Sequence, residues 1–168
     1  MVCVLPARAL ASGTQVSMLM DDDQLIYSTP QHMARTLEQI SSLGVDVVKV
    51  SMVWQLVAPD PYSSQKPKFD ATDPAAYPQG AWTRYDNLVE IAQKLGMKVY
   101  FLLIGPAPDW AIPKHIVTGQ GPALGYAPND ADYRDYVEAV GRRYSGAYVD
   151  PSTVSDQPSP SPVPSVGG

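Results

Sequence analysis

Two stretches of this chain repeat one short pattern, and that pattern restricts the fold more than anything else in the sequence. Leu43-Gly44-Val45-Asp46-Val47-Val48-Lys49-Val50 and Leu95-Gly96-Met97-Lys98-Val99-Tyr100-Phe101-Leu102 each read as a helix end, a glycine and a buried strand. A helix delivering the chain through glycine into a nearly continuous apolar, β-branched run is the αβ joint of a β/α protein with a parallel sheet. The run from Val45 to Val53 is the most strongly patterned of these strands, and Lys98–Ile104 is the next.

The remaining elements fall into place around the two joints. A first strand spans Val16 to Met20 and ends at Asp21-Asp22-Asp23. Thr29 followed by Pro30 suits an N-cap with proline at the first helical position, so a helix follows from about Gln31 to Leu43, with Met33, Leu37 and Ile40 on one face. A second helix runs from Trp82 to Leu95, and a third from Ala131 to Tyr144, capped by Asn129 or Asp130. The intervening segments, Trp54 to about Ala81 and Gly105 to about Pro128, are rich in proline and follow strands rather than helices. Loops of that length are unusual inside a compact domain unless they carry function, and in barrel and Rossmann-type sheets the functional face lies at the C-terminal ends of the strands. Neither a GxGxxG nor a GxxxxGK[ST] motif follows any of the strands, which disfavours the nucleotide-binding designs. The expectation is an α/β chain in three parts: residues 1–15 a leader or signal-peptide remnant, 16–148 about three β/α units, and 149–168 a disordered Pro/Ser-rich tail.

Composition excludes several classes of partner. With 17 acidic against 12 basic residues and no Lys/Arg run, the chain offers no phosphate-binding patch, so neither nucleic acid nor an anionic membrane surface is expected. The lone Cys3 rules out an intrachain disulfide, and His32 and His115 form no ligand motif, so no metal and no cofactor are expected. Ala9-Leu10-Ala11 has the small-x-small form of a signal-peptidase site behind a short apolar region. Residues 1–15 therefore read either as a leader or as the remnant of a signal peptide, the second implying a secreted protein.

Candidate contact residues cluster after the strands. Asp22 stands in the acidic run that ends the first strand and can either meet polar ligand groups or form a solvated strand exit. Lys49 interrupts an apolar strand; its side chain either faces the inside of a barrel or snorkels outward past the helix layer. Trp54 leaves the second strand, and Asp109-Trp110 follow the third. Tryptophans at those places either stack on a sugar ring or pack the loops. No pair of carboxylates at glycosidase separation can be assigned.

The segments DVVKVSMVWQLVAP and KPKFDATDPAAYPQGAWTRYDNLVEIAQKLGMKVYFLLIGPAPDWA resemble the N-terminal part of bacterial cellulase-like glycoside hydrolases with a (β/α)8 TIM barrel, over about Val16 to Tyr148. The resemblance implies a partial TIM barrel of about three β/α units, a role in carbohydrate metabolism, and a carbohydrate ligand contacted by Trp54, Asp109 and Trp110; the residue reading adds Lys49 and Asp22 as candidate contacts, although Lys49 stands where the family commonly has arginine. It also implies a retaining hydrolase whose acid/base glutamate follows the fourth strand in an Asn-Glu pair. This sequence has no Asn-Glu pair, and Glu38, Glu90 and Glu138 all fall in predicted helices, so no catalytic residue is carried over. The expectation is therefore a glycoside hydrolase fragment, inactive alone, with a non-catalytic carbohydrate-binding or structural domain as the alternative. Three β/α units would leave an open barrel edge, which predicts poor solubility and self-association through that edge.

Overall fold

A computed structural model describes residues 14–113 and 127–151. Cys3, the leader, His115 and most of the Pro/Ser-rich tail lie outside the described residues. The described residues group into two compact units: one of residues up to Met52 together with Trp82–Ile104, the other of Val53–Ala81 together with residues from Gly105 onward.

The first unit is built on three strands, β1 (Met18–Met20), β2 (Val47–Val53) and β3 (Lys98–Ile104), in the order β1-β2-β3. Met18 pairs with Val47, Leu19 with Val48 and Met20 with Lys49, in parallel. A short helix α1 (Asp22–Leu25) follows β1, α2 (Pro30–Ser42) leads to β2, and α4 (Thr83–Lys94) leads to β3. Thr29 caps α2 by accepting the His32 N–H at 3.2 Å, with Pro30 in the first turn, as the sequence predicts. Met33, Leu37 and Ile40 are buried on one side of α2, and Tyr85, Leu88 and Ala92 on one side of α4. These stripes meet the sheet face formed by Val48, Val50 and Met52, all fully buried, and by Phe101, whose ring meets Tyr85 edge-on at 6.0 Å.

Both αβ joints close in the same way. Gly44 (φ 83°) and Gly96 (φ 72°) adopt left-handed backbone. The N–H of the residue after each glycine then donates back to the helix, Val45 to the Ile40 carbonyl at 3.2 Å and Met97 to the Ala92 carbonyl at 2.9 Å. That is the Schellman arrangement expected of a glycine-terminated helix. The N-terminal ends of the strands are tied at Asp46. Its carboxylate accepts from the Ser17 N–H at 2.8 Å and hydroxyl at 2.9 Å, while its carbonyl accepts from the Lys98 N–H at 2.9 Å. The Ser17 backbone bond, then the hydroxyl bond, hold the Asp46 carboxyl below the usual carboxylate range, with Lys98 adding to the effect.

The second unit carries α3 (Trp54–Val57), α5 (Asp130–Arg143) and two 3₁₀ turns, Pro74–Ala76 and Asp109–Ala111. Its interior is aromatic. Trp54 stacks on Tyr136 at 5.1 Å and meets Trp110 edge-on at 5.7 Å, and Phe69 joins Trp110 to Tyr77. Asn129 caps α5 by accepting from Ala131 and Asp132 at 2.9 and 3.2 Å.

The partial TIM barrel of about three β/α units expected from the sequence is not what the structure shows. Among the described residues the sheet is open, with β1 and β3 as its two edges, and the fold is α/β with three strands and five helices. The reason is geometric. Adjacent strands rotate by roughly 20–25°, so three of them turn through only a fraction of a circle, whereas a TIM barrel closes on eight. The Leu-Gly joints that suggested a barrel belong to any right-handed β/α connection and carry no information on closure.

Candidate functional site

The strand order has a direct consequence for where a site could be. In a doubly wound sheet the order reverses, helices cover both faces, and the crevice at the reversal binds ligands. Here the order runs straight through from β1 to β3. Both sheet-packing helices cover the Val48–Val50–Met52 face, and no switch point exists.

The opposite face follows from register. Met18, Met20, Val47 and Lys49 point to one side because paired residues of parallel strands do so and neighbours alternate. The Lys49 amine lies 5.8 Å from the centre of the Tyr100 ring, which puts Tyr100, and by alternation Lys98, Leu102 and Ile104, on the same side. This face is open along both flanks: Met18 is 53% exposed, Met20 47% and Tyr100 50%. Its centre is tighter, with Val47 and Ser51 buried. Lys98 is exposed, Lys49 half-buried, and no acid lies among the strand residues of this face.

The acids follow β1 at the start of α1 instead. Asp21 caps α1 by accepting from Gln24 at 3.1 Å, and Asp22 accepts the Ser51 N–H at 2.8 Å, pinning α1 to the C-terminal end of β2. The acidic run is thus a cap and a clasp, with Asp23 exposed.

The other residues singled out from the sequence lie in the second unit. Trp54 is 2% exposed, with Tyr136 stacked on one side and Trp110 and Tyr133 around it. Its indole Nε1 is buried without a hydrogen-bond partner among the described residues. Trp110 is 9% exposed and donates through Nε1 to the Pro59 carbonyl at 3.0 Å. Asp109 is exposed, and its N–H donates to the Pro61 carbonyl at 2.8 Å. Both tryptophans therefore sit in the interior and hold the long proline-rich loop. Lys66 completes that attachment: it pairs with Asp132 at 2.5 Å and lies 5.5 Å from the Trp110 ring centre and 5.9 Å from that of Phe69. Sequence reading missed Lys66, and also the open face. The alternation Lys98, Tyr100, Leu102 against Val99, Phe101, Leu103 held the signal for the face.

Among the described residues, no group of three or more His, Cys, Asp and Glu is placed to hold a metal. No described helix is long and apolar enough to cross a membrane. Glu38, Glu90 and Glu138 lie in α2, α4 and α5, as the sequence predicts. No family model and no curated protein matches this chain. The glycoside hydrolase reading, and with it a part in carbohydrate metabolism, is thereby overturned. The barrel that would present its catalytic glutamates is not formed, no catalytic cluster is found among the described residues, and no family model supports it.

Proposed function

We propose that this chain is an assembly module, and that its open sheet face is where a second copy of the chain docks. The observation that carries this reading is the contrast between the two faces of one small parallel sheet. Parallel sheets are found with both faces covered, because the crossover helices and a second layer bury them. Here one face is packed under α2 and α4, while the other exposes two methionines and a tyrosine at about half of their surface. Methionine suits such a surface, since its flexible thioether adapts to an incoming partner. The two free edges add to the tendency. β1 has only three residues, which limits strand-to-strand addition there, so contact through the face is favoured over contact through the edge.

The size of the face sets the strength. Three strands about 4.8 Å apart and up to seven residues long give a footprint on the order of 300 Å². Stable interfaces bury roughly 800 Å² per partner. The association is therefore weak and concentration-dependent rather than obligate. Sedimentation velocity from micromolar to near-millimolar protein tests it. The expected result is a reversible shift from monomer to dimer that the double variant Met18→Ser/Met20→Ser loses while keeping its circular dichroism. A chain that stays monomeric throughout, or a folded double variant that dimerises as well as the wild type, refutes the reading.

A further inference from the structure

Residues 59–69, in the proline-rich loop of the second unit, are fastened at both ends and by one side chain between. At the start, Trp110 donates through Nε1 to the Pro59 carbonyl at 3.0 Å, and the Asp109 N–H donates to the Pro61 carbonyl at 2.8 Å. At the end, the Phe69 ring meets Trp110 at 6.0 Å and Tyr77 at 5.5 Å, edge-on in both cases. Between these anchors the loop bonds to itself, with the Ser63 hydroxyl donating to the Gln65 carbonyl at 2.9 Å. Among the described residues, Lys66 alone of residues 62–68 forms a hydrogen bond or ion pair beyond residues 59–69.

The Lys66 amine sits in a cradle of one acid and two rings. It pairs with the carboxylate of Asp132, in the first turn of α5, at 2.5 Å. It lies 5.5 Å from the centre of the Trp110 ring and 5.9 Å from that of Phe69, and the two rings stand at 77° to each other. Each of these contacts reads positive charge. A carboxylate draws a cation by Coulomb attraction, and an aromatic face draws it through the ring quadrupole. The Asp132 side chain is 19% exposed and that of Lys66 35%. The attachment therefore depends on charge, while the amine keeps a path to solvent.

We infer that Lys66 is a modification site, and that acylation of its amine unlatches the loop from α5. The ammonium first gives a proton to water. The free amine attacks the carbonyl carbon of an acyl thioester, the N–C bond forms as the C–S bond breaks, and the thiolate leaves with a second proton. The amide product is neutral, so the attraction to Asp132 and to both rings is lost together. Methylation of the same nitrogen keeps the charge, and aromatic walls accept a methylated ammonium. The latch thus answers to one modification and not to the other. It holds whether or not the sheet face takes up a second copy.

Limited trypsin digestion of the full chain reads the latch. Trypsin cuts the Lys68–Phe69 bond beside it, while Pro67 blocks cutting after Lys66, so the rate at Lys68–Phe69 tracks how often the loop opens. Four proteins are compared: the wild type, Asp132→Asn, and chains with Lys66 replaced by acetyl-lysine or by monomethyl-lysine. Each rate is divided by that of the same bond in a peptide of residues 62–72 carrying the same residue 66. Acetylation is expected to speed the cut about tenfold, Asp132→Asn about threefold, and methylation less than about twofold. The Arg143–Tyr144 bond, at the far end of α5, is expected to keep its wild-type rate throughout. An acetylated chain cut no faster than the wild type overturns the latch. So does a methylated chain cut as fast as the acetylated one, because bulk and not charge would then be the cause. Equal acceleration at Arg143–Tyr144 also overturns it, since the whole unit would be unfolding. Incubating the wild type with an acetyl thioester and mapping the products by mass spectrometry tests the site itself. Label at Lys66 is expected; label at the exposed Lys68 with none at Lys66 overturns the assignment.

Discussion

Trp54 shows how a single residue can carry two meanings until its surroundings are known. It sits where a sugar-stacking tryptophan would sit, at the exit of a strand and the start of a long loop. Its ring faces are taken by Tyr136 and its aromatic neighbours, so in this fold it packs rather than displays. The indole N–H adds an unusual detail, being buried without a hydrogen-bond partner among the described residues. An unsatisfied buried donor costs roughly 1–3 kcal/mol, while the large ring contributes more through burial and stacking. The two effects separate by substitution. Trp54→Ala is expected to destabilise the chain by about 3–5 kcal/mol, the usual cost of emptying an aromatic core site. Trp54→Phe keeps a stacking ring and removes the orphan donor, so its cost is expected to be about 1 kcal/mol or less. Urea unfolding of the two variants checks this; equal losses would mean that the N–H finds a partner in solution. Asp22 and Lys49 were equally ambiguous in sequence. Hydrogen bonding decides the first, as a clasp on Ser51, and register decides the second, placing Lys49 on the helix-free face.

At the scale of elements, the sequence was most legible where local chemistry and long-range packing agree. The helices at Pro30–Ser42, Thr83–Lys94 and Asp130–Arg143, and the strand Lys98–Ile104, lie within about two residues of where periodicity and capping put them. The short helices Asp22–Leu25 and Trp54–Val57 were not legible, because four residues are too few to show a period. On α5, Tyr136, Ala139 and Val140 are buried, whereas Tyr133 and Val137 are over a third exposed, so the inward face is narrow. Assignment of the sheet to part of a TIM barrel was the largest misreading, since strand count and twist are properties of the assembled sheet that no local motif encodes. The paired glycine joints were the most reliable feature, and they support a prediction. No atom lies within 4 Å of a Cβ added at Gly44 or Gly96, so the only penalty for alanine is the left-handed backbone. Gly44→Ala and Gly96→Ala are each expected to cost about 1–2 kcal/mol, and Gly44→Asn distinctly less because asparagine tolerates that region. Thermal unfolding of the three variants measures it; no loss at either alanine would mean the joint relaxes out of the left-handed region.

For the whole molecule, the net charge of −5 resists self-association in general, so any dimer must form through a surface that locally departs from it. The open face does so, with Lys49 and Lys98 on its strands and no acid among its strand residues. At 0.1 M salt the Debye length is about 10 Å, so the general repulsion between two copies is largely screened. Burial of Met18, Met20 and Tyr100 does not depend on screening in this way. Between about 0.05 and 0.5 M sodium chloride, the wild-type dissociation constant is therefore expected to change by less than about threefold. A wild-type dimer that dissolves steeply with salt would show that charge pairs, and not the apolar strands, hold the copies together.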